Sequence, residues 1–205
     1  HILLNNSFTE LRKTNSEKKV RANIIDLIME RDLLDAYPYD SMDNLLELLR
    51  EAASHSKVKE IKISIYRMTS HPRIIEYLIK AANNGKRVRV LIELRARFDE
   101  ANNVDWAKIL KDSGCEVYYG TKRLKSHFKA CQIVFKKSFS KIGEQEIITQ
   151  VGTGNYNETT ACQYTDFSII TSSRKLGEEV SNLFDNAIDG ITDNQFRYII
   201  TSPSC

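Results

Sequence analysis

The strongest constraint on the fold of this chain is a regular alternation of helices and short β-branched strands between residues 42 and 119. Apolar residues recur with a helical period in three segments and form strand-like runs in three others. The predicted helices are 42–53, capped by Ser41, 73–83, and about 100–112, capped by Asp99, and the predicted strands are 61–66, 88–94 and 115–119. Gly85 and Gly114 are placed to end the second and third helices. This order favours parallel strands joined by right-handed crossovers.

The second half of the chain is richer in strands. The predicted strands are 128–135, 146–151, 166–171 and 196–200, and an amphipathic helix is predicted at 176–188. The first two strands are expected to form a hairpin around the polar loop 136–143. The sequence therefore predicts one α/β domain with a mixed sheet flanked by helices.

The first 36 residues have a different character. They are mostly polar and lack a regular apolar pattern, except that residues 17–34 have the apolar stripe of a helix. We expect residues 1–36 to be an arm from a preceding domain and residues 37–205 to form the α/β domain. Because the chain begins with His1 rather than Met and stops abruptly, we expect a fragment of a larger protein.

Composition narrows the class of protein. No apolar run approaches the roughly 20 residues that a membrane-spanning helix needs, so we expect a cytoplasmic protein, whose full-length form could associate with a membrane. The four cysteines are scattered without CxxC pairs, which favours reduced thiols over disulfides or a zinc site. Between Glu116 and Glu144 there are seven basic residues and no acidic ones. Such a run is usually a solvated face, and the alternative is a polyanion-binding patch.

Four polar segments at the ends of predicted strands are candidates for phosphate chemistry. They are 66–67, 93–100, 125–129 and 152–157. Three of them follow a strand and one leads into a strand, and open α/β sheets bind their ligands at strand ends. Arg67, Arg97 and His127 each follow one of three successive βα units, so we expect these three residues to converge on one pocket.

His127 is the candidate nucleophile. A lone histidine is more often structural than catalytic, but Lys129 lies two residues further along a predicted strand and points to the same face. A neutral imidazole attacks phosphorus readily, and a neighbouring ammonium both keeps it neutral and binds phosphoryl oxygens.

The supporting residues each have a structural alternative. Gly152 and Gly154 suit an ordinary turn, but they also let backbone N–H groups approach an anion, with Asn155 orienting the histidine or a phosphate oxygen. Arg67 and Arg97 follow apolar strands, where they could be plain surface charges or planar forks for phosphate oxygens.

These segments closely resemble the first C-terminal domain of the bacterial polyphosphate kinase family. The resemblance is carried by residues 66–67, 96–100, 124–129, 152–157 and 164–166, with 38–43 similar to the opening of that domain. It covers about residues 36–190, in the family's order and near its spacing.

The resemblance implies a phospholipase-D-like fold in which His127, Lys129 and Asn155 form half of an active site. The phospholipase D signature also has an Asp five residues after the Lys, where this chain has Val134. That difference is shared by polyphosphate kinases and argues against a phosphodiesterase. Phe128 stands where the family usually has a small residue, and its ring could crowd the nucleophile.

Carried over residue by residue, the resemblance implies that His127 is the phosphorylated histidine. It places Arg67 and Arg97 in the Mg²⁺–phosphate site, where we expect them to clamp phosphates because an arginine cannot ligate a metal. It makes Tyr164 an ATP contact, although a half-buried strand-edge aromatic is the structural alternative, and it assigns the glycine turn to substrate binding.

The expected function is reversible transfer of the ATP terminal phosphate, through a phosphohistidine, to polyphosphate. The expected partners are ATP or ADP, polyphosphate, Mg²⁺, the missing domains of the full-length enzyme and a second copy of it. Two alternatives stay open: a phospholipase-D-like phosphodiesterase, and a fragment that binds polyanions without catalysis.

Overall fold

A seven-stranded mixed sheet organises the part of the chain that the computed structural model describes, which is residues 23–66, 72–93, 100–120, 125–136, 146–192 and 195–202. The strands are β1 (Leu33–Tyr37), β2 (Val58–Ile65), β3 (Arg87–Ile92), β4 (Glu116–Tyr119), β5 (Lys129–Phe135), β6 (Ile147–Gly152) and β7 (Asp166–Thr171). The helices are α1 (Ile24–Glu30), α2 (Asp43–Ser54), α3 (Arg73–Asn83), α4 (Glu100–Asp112), α5 (Glu158–Ala161) and α6 (Arg174–Asp189).

The sheet order is β1-β7-β6-β5-β2-β3-β4. The strands β2, β3 and β4 are parallel, as predicted, and the pairs β2–β5, β5–β6, β6–β7 and β7–β1 are antiparallel. The predicted hairpin of β5 and β6 is confirmed. Most of its loop, 137–145, lies outside the described residues.

The two faces of the sheet are covered by different helices. On β2, alternate residues Ile61, Ile63 and Ile65 join the large apolar core that α1, α2 and α3 cover. Lys62 faces the other way and donates to the Ser181 hydroxyl of α6 at 2.5 Å. The α/β domain with helices on both faces of a mixed sheet is therefore confirmed.

The segment before residue 37 differs from its prediction. The helix predicted for 17–34 is wrong at its end, because α1 stops at Glu30 and β1 follows at Leu33, while 17–22 lie outside the described residues. The strand forms because Leu33 and Leu34 pair with Ile170 and Ile169 of β7. This strand and the buried face of α1 pack with the sheet rather than apart from it, and the division of the chain at residue 36 stays a prediction.

Two smaller predictions are also corrected. Met42, not Ser41, is the N-cap of α2, and the Ser41 hydroxyl instead donates to the Asp43 carboxylate at 2.6 Å. Residues 196–200 are not a strand. Their backbone N–H groups at 197–199 donate to the Glu179 carboxylate of α6, which takes the place of a strand partner.

One edge of the sheet gathers the candidate residues. The register pairs Ile65 with Ile92, Ile92 with Tyr119, and Lys129 with Gly152. The carboxyl ends of β2, β3, β4 and β6 therefore meet the amino ends of β5 and β7. Within the described ranges, no helix has both the length and the apolar character needed to cross a membrane.

Candidate active site

The side chains of His127 and Lys129 meet where the chain enters β5, as their spacing in the sequence predicted. The Lys129 Nζ lies 3.0 Å from both the Nδ1 and the Nε2 of His127, and it donates to the His127 carbonyl at 2.7 Å. An ammonium 3.0 Å from both ring nitrogens would overlap the carbon between them if it lay in the ring plane, so it lies over the face of the ring. Lys129 is only 4% exposed, so its charge acts in a medium that screens it weakly.

Tyr66 also lies against the imidazole. Its ring meets the His127 ring edge to face, with centroids 4.9 Å apart, and the Lys129 Nζ lies 5.3 Å from the centroid of the Tyr66 ring. From the sequence alone, this tyrosine is part of a motif and has no predicted role of its own. Its position directly after β2, at the same edge as the start of β5, is the signal that could have identified it.

The turn after β6 is built around Asp166, the first residue of β7. The Thr153 hydroxyl donates to Asp166 Oδ1 at 2.7 Å and accepts from the Phe167 N–H at 3.0 Å. Gly152 is also packed closely, since a Cβ there would lie 2.9 Å from the Gln150 Nε2. Both predicted glycines thus lie in a fixed turn, next to the strand that begins with Lys129.

Asn155 ends this turn with an unpaired acceptor. Its Oδ1 is buried and has no hydrogen-bond partner among the residues that the structure describes, which is costly unless a donor is supplied during function. In this orientation the oxygen suits an N–H group such as an imidazole. The opposite orientation of the amide would present its nitrogen to a phosphate oxygen.

The residue after Asn155 anchors the turn in the core. Tyr156 is buried, and its hydroxyl donates to the Gln150 Oε1 at 2.5 Å, while the Gln150 Nε2 donates to the Ser168 hydroxyl at 3.0 Å. Burial raises the pKa of the Tyr156 hydroxyl well above its usual value, so it stays a neutral donor.

Gly154 offers a test of this turn. A Cβ on Gly154 would lie 2.7 Å from Asp166 Oδ2 and 2.9 Å from Asp166 Cβ, so Gly154→Ala has to displace the turn or the carboxylate. We expect a loss of about 1–3 kcal/mol in stability and a fall in kcat of about 10- to 100-fold, because Asn155 moves with the turn. Thermal unfolding and turnover of the intact enzyme measure the two effects.

The matched control for that substitution is Gly177→Ala in α6. A Cβ there is also tightly packed, 3.3 Å from Ile147 and Thr149, but it lies on the α6 side of the sheet. It should lower stability and leave kcat unchanged. A wild-type kcat in Gly154→Ala would contradict the idea that the turn positions Asn155.

The remaining residues predicted for the site or beside it are Tyr164, Arg67, Arg97 and Phe128. Tyr164 follows α5 and is 62% exposed, so it is available to a ligand. The alternative prediction, that its ring is half-buried at a strand edge, is wrong. Arg67 and Arg97 lie outside the described residues. Phe128 does not crowd the nucleophile: its ring packs against Phe184 on the α6 face, with centroids 5.2 Å apart.

Two further features of the described residues bear on the chemistry of this edge of the sheet. Burial raises the pKa of the Cys131 thiol, on the same face of β5 as Lys129, to about 12, so it carries no thiolate at neutral pH. Across the described ranges, no group of three or more His, Cys, Asp or Glu side chains is placed to hold a metal ion.

Comparison with known proteins identifies relatives over almost the whole chain. The family described as polyphosphate kinase C-terminal domain 1 matches residues 23–193. The polyphosphate kinase of Escherichia coli (strain K12) is 40% identical over 201 residues, which are 98% of this chain and 29% of that protein. The polyphosphate kinase of Vibrio vulnificus (strain CMCP6) is 40% identical over 184 residues, 89% of this chain and 25% of that protein. The chain thus spans between a quarter and three tenths of these relatives.

Solved structures agree with this placement. The crystal structure of polyphosphate kinase from Porphyromonas gingivalis has a TM-score of 0.74 and 34% identity, covering 90% of this chain and 30% of that one. Nuc from Salmonella typhimurium, a phospholipase D family member, has a TM-score of 0.58 and 17% identity, covering 77% of this chain and 93% of that one. The predicted phospholipase-D-like fold is therefore confirmed.

Proposed function

The chain belongs to the polyphosphate kinase family, as its C-terminal domain 1, and from this premise we propose that it transfers the terminal phosphate of ATP through His127 to a polyphosphate chain. The observation that carries the proposal is the buried ammonium of Lys129 held against the His127 imidazole at a strand end. A nucleophile beside a fixed, poorly screened cation is what phosphoryl transfer needs, because the reaction moves negative charge between oxygens.

The proposed reaction has two balanced steps. In the first, a nitrogen lone pair of His127 forms a bond to the γ-phosphorus as the bond to the bridging oxygen breaks, and the electron pair leaves on ADP. In the second, a terminal oxygen of polyphosphate attacks the same phosphorus and the N–P bond breaks, which restores the imidazole. Lys129 offsets charge on the phosphoryl oxygens in both steps, and the reverse sequence makes ATP.

Asn155 and Tyr164 have supporting roles in this proposal. The unpaired Oδ1 of Asn155 is supplied with a donor when the site is occupied, and we assign that donor to the imidazole N–H that does not react. The exposed ring of Tyr164 contacts ATP. Gly152 and Gly154 keep the turn close enough for backbone N–H groups to bind phosphate.

Mg²⁺ enters as part of the ATP substrate. In this proposal the ion arrives bound to the phosphate oxygens of ATP. Arg67 and Arg97 are proposed to clamp those phosphates, because a guanidinium donates to oxygen and cannot ligate a metal.

The remaining partners are also proposals. Since the chain spans between 25% and 29% of two curated relatives, we propose that other domains of the intact enzyme complete the site, and that the enzyme acts in the cytoplasm as a homo-oligomer. The chain by itself is then half of a site, and as an isolated domain it has little or no turnover.

One other function has an observation in its favour. The fold is shared with Nuc, a phospholipase D family member, and a phosphodiesterase would use the same histidine. Against it, Val134 is a buried residue of β5 that pairs with Ile147, so the acidic group of the phospholipase D signature is missing at its place.

Incubation of the intact enzyme with γ-labelled ATP and Mg²⁺ tests the proposal. We expect an acid-labile, alkali-stable label on His127 that passes to polyphosphate when the polymer is added. Hydrolysis of a simple phosphodiester without such a label would favour the phosphodiesterase instead. Salt-sensitive binding of polyphosphate with no label and no hydrolysis would favour the polyanion-binding alternative.

A further inference from the structure

The path of the chain into β5 poses a positioning problem. The chain leaves the sheet at the end of β4 and re-enters it at Lys129, and in the sheet order both β3 and β2 lie between those two strands. His127 lies in the described stretch 125–128, before its own strand begins. Ladder hydrogen bonds fix the strands, but they do not fix the residues that precede β5.

Glu93 holds this segment at the residue before His127. Glu93 directly follows β3 and is only 2% exposed, and its Oε2 accepts a hydrogen bond from the Ser126 N–H at 2.8 Å. The Glu93 N–H in turn donates to the Ile65 carbonyl at 3.0 Å. A bond from a backbone N–H to an ionised carboxylate is among the stronger hydrogen bonds in proteins.

The contact is also closely packed from the side of β4. A Cβ on Gly120 would lie 2.7 Å from the Ser126 Oγ and 3.3 Å from Glu93 Oε2. A side chain at Gly120 therefore has no space while the Ser126 N–H remains bonded to the Glu93 carboxylate.

Asn103 of α4 anchors both Tyr66, which contacts His127, and Glu93, which holds the residue before it. It is fully buried, and its Nδ2 donates to the carbonyls of Tyr66 at 2.9 Å and Glu93 at 3.0 Å. The ring of Tyr66 contacts the imidazole, and the carboxylate of Glu93 holds the preceding amide. One buried amide thus joins the ends of β2 and β3 beneath the candidate nucleophile.

We propose that Glu93, anchored by Asn103, is a positioning residue for His127. It fixes the backbone N–H of the preceding residue, Ser126, while Lys129 fixes the carbonyl of His127 itself. The proposal rests on the proposed function for its effect on rate, and on the geometry alone for its effect on the position of His127. A nucleophile has to meet phosphorus in line with the leaving oxygen, so a displacement of about 1 Å costs about 100-fold in rate. Glu93 touches no reacting atom in this proposal.

The kinetic test compares Glu93→Ala and Glu93→Gln in the intact enzyme. We expect Glu93→Ala to lower kcat and the single-turnover rate of His127 phosphorylation by about 100-fold, with the KM for ATP within about twofold of wild type. The Gln side chain keeps an oxygen acceptor for the Ser126 N–H, so Glu93→Gln should recover most of the rate. A wild-type kcat for Glu93→Ala, or a loss confined to KM, overturns the proposal.

A matched control separates positioning from general stability. Glu60 is another buried glutamate, but it pairs with Arg89 on the α6 side of the sheet. Glu60→Ala should lower the melting temperature and leave kcat unchanged. If Glu60→Ala and Glu93→Ala lose kcat in proportion to their loss of stability, the role of Glu93 is structural and the proposal fails.

The hydrogen bond between the Ser126 N–H and the Glu93 carboxylate is called the clamp below. A second pair of variants tests it if Glu93→Ala does not fold. Gly120→Ala pushes against the Ser126 hydroxyl, so it should lower kcat as Glu93→Ala does. Adding Ser126→Ala removes the nearest atom and should restore most of the rate. A Gly120→Ala enzyme with wild-type kcat, or no recovery in the double variant, counts against the clamp.

A readout without turnover keeps this proposal separate from the function itself. The imidazole resonances of His127, or its position in a crystal structure of Glu93→Ala, report the displacement directly. If wild type carries no label on His127 but the imidazole moves in Glu93→Ala, the proposed function fails and the clamp stands. An unmoved imidazole in Glu93→Ala overturns the clamp.

Discussion

Replacing His127 with alanine or glutamine in the intact enzyme should abolish both the phosphoenzyme and polyphosphate synthesis. The imidazole is proposed to form the covalent bond to phosphorus, and Tyr66 and Lys129, which contact it, cannot take over that bond. Loss of a covalent nucleophile costs on the order of 10⁴- to 10⁶-fold in kcat. Acid-quenched labelling with γ-labelled ATP and a polymer assay measure the two activities.

His55 provides the control for that experiment. Its ring packs edge to face against Phe135, with centroids 5.8 Å apart, and Phe135 ends the strand that Lys129 begins. Six residues of strand separate those two positions by about 20 Å. His55→Gln should therefore keep full labelling. Persistent acid-labile label in His127→Ala would show that another residue is phosphorylated.

Replacing Lys129 with methionine should lower kcat by about 10²- to 10³-fold, which is the usual cost of removing one fixed donor from a developing charge. Methionine keeps the length of the side chain and removes the ammonium that lies 3.0 Å from the imidazole nitrogens. Because the same ammonium also donates to the His127 carbonyl, part of the loss comes from a less fixed histidine. Steady-state kinetics and the rate of phosphoenzyme formation measure the effect.

Lys62 is a closely matched control for Lys129. It is also a buried lysine in the middle of the sheet, 3% exposed, but it donates to Ser181 and lies 3.6 Å from Asp185 on the α6 face. Lys62→Met should lower stability and leave the phosphoenzyme rate near wild type. Equal losses of kcat in both variants would mean that Lys129 acts through folding rather than through charge.

Much of the fold could be predicted from the sequence, because local signals agree with the tertiary structure. The helix predicted at 73–83 is α3 without change, and Gly85 and Gly114 have φ of 74° and 86°, which favour glycine after a helix. The strands were placed within a few residues. The errors occur where long-range contacts override local pattern, as for Leu33, which pairs with β7, and for 196–200, whose N–H groups bond to Glu179.

The site could be predicted only as far as it is local in sequence. His127 and Lys129 are two residues apart, so their spacing in the sequence is enough to predict that their side chains meet at the start of β5. Tyr66 and Glu93 lie 61 and 34 residues before His127 in the chain. The contact of Tyr66 with His127 and that of Glu93 with Ser126 depend on the order of the strands in the sheet. No spacing rule predicts that Ser126 will meet a carboxylate from the end of β3.

The pairing of β1 with β7 has a consequence for how the protein is made. Leu33 pairs with Ile170, so an early strand of this chain pairs with a strand that follows some 130 residues later. During synthesis on a ribosome, β1 emerges long before its partner β7. Until β7 is made, the backbone N–H and C=O groups of β1 that bond to β7 have no strand partner. Loop closure over such a distance slows folding. The sheet is therefore completed late in synthesis, and the strand that begins with Asp166, which also fixes the glycine turn of the site, completes it.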